Sequence, residues 1–168
     1  MSNNCWLPKC EYYDNSEPWQ VYEDLLYSIF RADFIEDHPS YEGKDVKIRC
    51  HPIENNKEEA FYHVTCQDYS KDGNRVPDFR RCERIRWVRA FIENYSCNPS
   101  LCIGCDGIKV WEKPYNSNQR VHLLFEEERY IVVLERRDRY CLLITAFYIE
   151  QNHTLIKKVK EYRQYRCS

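Results

Sequence analysis

Four short runs of alternating or continuous apolar residues dominate the C-terminal half of this chain and constrain its fold most. Ile108–Glu112, Arg120–Glu126, Arg129–Arg136 and Tyr140–Phe147 each have the length and pattern of a strand. The polar turns Glu126–Glu128 and Arg137–Arg139 between them are short enough for hairpins. A connection that short cannot carry a crossover, so the runs at 120–126, 129–136 and 140–147 are expected to lie side by side and antiparallel. A helix from about Gln151 to Tyr165 follows, with Leu155, Ile156, Val159 and Tyr162 as its apolar stripe.

The N-terminal half mixes periodicities. Residues 18–36 read as an amphipathic helix, with Tyr22, Leu25, Leu26, Ile29 and Phe30 on one face. Ser16 suits its N-cap and Pro18 its first turn, where a missing N–H costs nothing. Residues 45–51 alternate as a half-buried strand. Residues 59–66 alternate too, placing Phe61, His63 and Thr65 on one face and Tyr62, Val64 and Cys66 on the other. Residues 79–95 form a second helix with Ile85, Val88, Ile92 and Tyr95 as its buried stripe. A turn-rich, Cys-rich connection, 96–107, leads into the strands. The order predicts one α+β domain over 18–168: an antiparallel sheet with an N-terminal helix, a central basic helix and a C-terminal helix packed on it, preceded by an acidic tail over 1–17.

The 168 residues fit one such domain, and 43% apolar with 31% charged content argues for a packed core against disorder. No run of about 18 apolar residues exists, so no membrane span is expected. The N-terminal residues lack a basic start and an apolar stretch, which argues against a secretory signal and for a cytoplasmic location. In such a reducing compartment the 10 cysteines are expected to be buried apolar residues or metal ligands rather than disulfides.

A net charge of −2 excludes a globally basic nucleic-acid binder, but the charge is segregated. Residues 1–44 carry nine acidic groups against three basic. Residues 75–89 carry six arginines against Asp78 and Glu83. Residues 151–168 carry five basic groups against Glu161. Either these are solvated helix faces, or the two basic segments converge on a polyanion.

Two chemistries fit the residues. Cys97, Cys102 and Cys105 give C-x4-C-x2-C on a Gly/Pro-containing loop, where paired thiolates can reach one structural zinc. Cys82 or another residue would then complete four ligands. The other reading is that these are ordinary loop or buried thiols. The second chemistry is RNA cleavage by the ribose 2′-hydroxyl, which needs no cofactor: it needs a proton acceptor, a proton donor, and cations for the phosphorane charge. His63, Arg81, Arg84, Thr145 and Tyr148 supply those types, and Lys157 and Lys158 follow on a basic helix. Arg81 and Arg84 are three apart and share a helix face, which Arg80 extends. A hydrogen-bonded structural role for His63, and a carboxylate-paired one for Arg84, are the competing readings. The chain has no G-x-S-x-G, no P-loop and no H-E-x-x-H. Arg120, His122, Leu124 and Glu126 alternate on one strand, either as part of a site or as the wet face of an edge strand.

Several blocks carry a resemblance. LYSIFRADFI (26–35), EEAFYHVTC (58–66), VPDFRRCERIRWVRAFIENY (76–95), IKVWE (108–112), RYIVVLERRDRYCLLITAFYIE (129–150) and KKVKEYRQY (157–165) resemble a family of small bacterial proteins linked to prophages and mobile elements. That family is similar in arrangement to the barnase–EndoU–colicin–RelE (BECR) group of metal-independent RNases and toxins, which set a basic helix against an antiparallel sheet. The resemblance covers roughly residues 20–165. It implies a polar set of His63, Thr65, Arg81, Glu83, Arg84, Trp87, Thr145 and Tyr148, with Lys158, Glu161 and Tyr162 in the tail. Within it, Arg80, Trp87, Lys157, Lys158 and Tyr162 would contact RNA. The Cys-rich connection departs from the pattern, so any zinc there is a local addition.

The leading expectation is therefore a metal-independent endoribonuclease or toxin-like RNase, with RNA and a cognate antitoxin, immunity or defence-system protein as partners. The alternative is a non-catalytic interaction protein of a phage-defence or counter-defence system. Convergence of His63, Arg81, Arg84, Thr145 and Tyr148 on one cleft separates the two.

Overall fold

The computed structural model describes residues 6–67, 75–100 and 105–166. In chain order the elements are α1 (Trp19–Phe34), β1 (Ser40–Tyr41), β2 (Lys44–Lys47), α2 (Glu59–Thr65), β3 (Cys66–Gln67), β4 (Val76–Pro77), α3 (Phe79–Glu83), α4 (Ile85–Glu93), β5 (Lys109–Tyr115), β6 (Asn118–Phe125), β7 (Tyr130–Arg136), β8 (Cys141–Tyr148) and α5 (Asn152–Tyr165). This is the expected α+β class. One sheet runs in the order β1-β2-β8-β7-β6-β5, and β3 pairs with β4 apart from it. The hairpin-linked strands β5 to β8 are adjacent and antiparallel, as their turns require. β2 pairs antiparallel with β1 but parallel with β8, touching only the start of β8 through Val46–Cys141 and Lys47–Leu142.

The sheet is covered on both faces. One face sends Val121, Leu123, Phe125, Tyr130, Val132, Leu134 and Ala146 into a core completed by α1, α2 and α4. The other sends Trp111, Leu124, Ile131 and Val133 against Val159, Leu155 and Tyr162 of α5. Of the acidic tail, residues 6–17 are laid over the first core. Trp6 sits edge-on to Phe91 at 5.6 Å, the Glu11 N–H donates to the Glu83 carbonyl at 2.8 Å, and the Tyr22 hydroxyl donates to the Glu11 carbonyl at 2.6 Å. Among the described residues no helix is long and apolar enough to cross a membrane.

Three elements differ from the sequence expectation. The strand expected over 45–51 ends at Lys47, and Cys50 is exposed. Residues 59–65 are helical, not extended. The helix buries Ala60, Phe61, Tyr62, Val64 and Thr65, residues from both of its apparent strand faces. A seven-residue segment with only Glu59 and His63 left half-exposed is too short and too buried to show a period that tells strand from helix. Glu58 and Glu59 at its start also favour a helix N-terminus, where the dipole is positive. The expected helix over 79–95 is broken at Arg84, whose backbone (φ −105°, ψ 21°) closes α3 and opens α4. Asp78 caps α3, its carboxylate accepting from the N–H groups of Arg80 (2.9 Å) and Arg81 (3.3 Å). The Cys82 thiol, fully buried, donates to the Thr65 carbonyl and binds α3 to the end of α2. α4 buries Ile85, Trp87, Val88, Phe91 and Ile92. The two short helices thus serve different partners, which one straight helix could not.

Candidate functional site

Because β2 covers only the start of β8, the rest of that edge is free to meet α2. The register of β7 and β8 slips between Val133 and Leu134, leaving Ile144 as an extra residue opposite the break. A bulge of this kind turns two successive side chains outward from the regular alternation. Ile144 and Thr145 both become half-exposed, and the Thr145 hydroxyl donates to the His63 carbonyl at 3.1 Å. Arg81 Nη1 donates to the same carbonyl at 3.0 Å. That oxygen lies in the last turn of α2, where helical carbonyls lack partners and cations are favoured.

The three residues so joined line a cleft of about 300 Å³ with Arg49, Arg120, Ile144 and Phe147. Arg49 follows β2, Arg120 comes from β6, His63 from α2, Arg81 from α3 and Thr145 from β8, so five segments meet here. The His63 ring is paired with Glu59 one helical turn earlier, Nε2 to Oε1 at 3.1 Å, and Arg75 approaches the same carboxylate at 3.5 Å. Arg120 lies 3.1 Å from Glu135 and over the Tyr115 ring. Arg81 is 3.5 Å from Asp78. The Arg49 side chain is exposed, and no described carboxylate pairs with it. A histidine backed by a carboxylate, a hydroxyl, and three guanidinium groups around one cavity can bind a phosphate and exchange protons with a bound group.

Arg81 also lines a second cleft of about 500 Å³ with Gln67, Asp78, Phe147, Tyr148, Gln151 and Thr154. Tyr148 therefore adjoins the first cleft without entering it. The guanidinium groups of Arg80 (4.8 Å) and Arg84 (4.7 Å) both lie against its ring. Arg84 lines neither cleft. Its Nη1 donates to the Arg80 carbonyl at 3.0 Å and meets Glu83 at 3.3 Å, and its side chain is 12% exposed. The break at Arg84 parts it from Arg81, which turns the other way over Phe147. Trp87, expected at an RNA surface, is 4% exposed. Its indole N–H donates to the Pro8 carbonyl at 2.9 Å and its ring packs on Phe91 and Tyr130, so it offers no face for stacking.

The α5 residues gather around a different group. β6 is an interior strand, not an edge, and its His122 is buried rather than wet. The imidazole stacks on Trp111 at 4.8 Å with an interplanar angle of 6°. Trp111 donates to Glu161 at 3.0 Å, Lys113 reaches Glu161 at 3.3 Å, and His122 Nε2 lies 3.9 Å away. Burial first, and then the Lys158 charge, holds His122 down at about 4. Burial likewise pushes Lys158 below the usual amine range. Indole hydrogen bonding and the nearby cations hold Glu161 low against its burial. Tyr162 packs on Trp111 at 5.9 Å and Lys157 is exposed on the far side of the helix. None of these lines either Arg81 cleft.

Cys97 is half-buried against the first core and Cys105 is buried in it. Cys102 lies outside the described residues. Among the described residues no three His, Cys, Asp or Glu side chains are grouped to hold a metal. Arg49 and Arg120 were not among the expected site residues. Arg120 carried a signal in its alternation with His122, whereas Arg49 carried none beyond its charge. No protein-family model, curated protein or solved structure matches this chain.

Proposed function

We propose that the first cleft binds an RNA phosphodiester and cleaves it by internal attack of the ribose 2′-hydroxyl. The observation carrying this reading is that three of the five residues expected to converge, His63, Arg81 and Thr145, line a single cavity together with two further arginines, while Arg84 and Tyr148 stay outside it. The 2′-oxygen attacks phosphorus as a base takes its proton. The bond to the 5′-oxygen breaks as an acid returns a proton, leaving a 2′,3′-cyclic phosphate and a 5′-hydroxyl. His63 is the proton-exchanging group, oriented by Glu59. Arg49 and Arg120 hold the non-bridging oxygens, and Arg81 and Thr145 fix the backbone from which His63 projects. Arg84 and Trp87 are assigned to the fold.

The test is incubation of the purified protein with total RNA in chelator. Fragments ending in 2′,3′-cyclic phosphate support the reading. Intact RNA overturns it and leaves the interaction protein of a defence system as the better description.

A further inference from the structure

The proposed reaction cleft is not isolated. Glu135, 4% exposed, is a floor shared by two arginines: Oε2 meets Arg120 Nε at 3.1 Å and Oε1 meets Arg137 Nη2 at 2.5 Å. Arg120 lines the reaction cleft. Arg137 lines another cleft of about 640 Å³ with Lys47, Ser117, Asn118, Asp138, Arg139 and Tyr140. One buried carboxylate thus joins the two cavities and holds both guanidinium groups in place. On the other side, Arg81 joins the reaction cleft to the Tyr148 cleft. The three cavities follow β8 from Tyr148 to Tyr140, roughly 25 Å at about 3.3 Å per residue.

Cations lie against rings along this line. Arg81 lies over Phe147 (5.5 Å), Arg120 over Tyr115 (3.5 Å) and Lys47 over Tyr140 (5.1 Å). Lys47 and Arg139 are exposed. Asp78, Glu135, Asp138 and Glu150, with Glu59 behind His63, are the acidic groups beside the line, against Arg49, Arg81, Arg120, Arg137, Arg139 and Lys47, so it stays slightly positive on a chain whose net charge is −2. Spaced charges tracking a backbone, with aromatic rings among them, are what single-stranded nucleic acid requires. A duplex keeps its base faces stacked inside and cannot use the rings.

Resting on the RNA reading above, we infer that the reaction cleft is the middle of a track for single-stranded RNA, and that Lys47, Arg139 and Tyr140 form its distal binding site. The test uses non-cleavable 2′-O-methyl oligonucleotides of three and twelve nucleotides, with binding followed by fluorescence anisotropy across a salt series. The Lys47→Ala/Arg139→Ala variant removes two exposed cations and no buried contact. It is expected to bind the twelve-mer on the order of 10-fold more weakly at 0.1 M salt. Its log–log salt slope should be shallower by about 1.4, at roughly 0.7 per lost phosphate contact, with trinucleotide binding unchanged. Unchanged twelve-mer binding and slope overturn the track, as does equal weakening of both oligonucleotides or failure of the unaltered protein to bind the twelve-mer. Cleavage is not read in this assay. The track therefore stands or falls by binding even if total RNA is left intact, and cleavage can be established even if the track fails.

Discussion

Replacing His122 by Phe should remove a large part of this protein's acid sensitivity between pH 7.5 and 4.5. The imidazole is 6% exposed, sandwiched flat on Trp111 and faced by Glu161, Lys113, Lys158 and Arg120. In the folded chain it titrates near 4 against an ordinary value of 6.5, so the unfolded chain binds the proton more readily. Stability contributed by the neutral ring is full above about pH 6.5 and is lost as pH falls toward 4. The whole gap corresponds to about 3.5 kcal/mol at about 1.4 kcal/mol per pH unit, of which roughly 2 to 3 kcal/mol is lost by pH 4.5. Glu161 acts in the same direction but lower down, since its depressed carboxyl loses stability only as it protonates below its ordinary 4.5. Phe keeps a flat ring against Trp111 and does not titrate. The assay is urea unfolding of both proteins at half-unit steps from pH 7.5 to 4.5. The unaltered protein should lose about 2 to 3 kcal/mol more than His122→Phe over that range. Equal losses would mean that the His122 proton is held alike in the folded and unfolded chains, and a gain of stability on acidification would mean that His122 charges and pairs with Glu161.

Arg84→Ala deletes the bond to the Arg80 carbonyl, the Glu83 pair and the stacks on Trp87 and Tyr148. It should cost about 1–3 kcal/mol in denaturant unfolding while leaving activity per folded molecule intact. A 100-fold activity loss without destabilisation would place it in the site instead. Asp78→Ala removes the α3 cap and the partner of Gln67 and Arg81. A loss of about 2 kcal/mol is expected, seen as a melting temperature lower by roughly 4–8 °C.

The β6–β7–β8 meander was legible because each strand carries its own pattern and each turn is too short for any other connection. Burial against several partners is not local, and there the sequence misled. Residues 59–65 look alternating because five of the seven are buried and the polar face of the helix is reduced to Glu59 and His63, too little to set a 3.6-residue period. His122 reads as the wet face of an edge strand because nothing in β6 announces that β5 will pair with it. Arg81 and Arg84 share a face on an unbroken helix, and the break that parts them is set by where Cys82 and Trp87 are buried. His63, Arg81 and Thr145 were named from residue type and resemblance. Their meeting at one carbonyl depends on a bulge in β8 and on the short reach of β2, neither of which leaves a mark in the sequence.

In the proposed reaction His63 exchanges protons in a cleft of arginines. The most direct measurement is the single-turnover cleavage rate of a single-stranded RNA in chelator, for the unaltered protein and for His63→Gln. The substitution leaves the backbone carbonyl that Arg81 and Thr145 hold, so the fold is expected to persist, and circular dichroism checks it. A fall of 100-fold or more with unchanged spectrum and unfolding midpoint is the predicted result. Cleavage at an unchanged rate, or none by either protein, contradicts it.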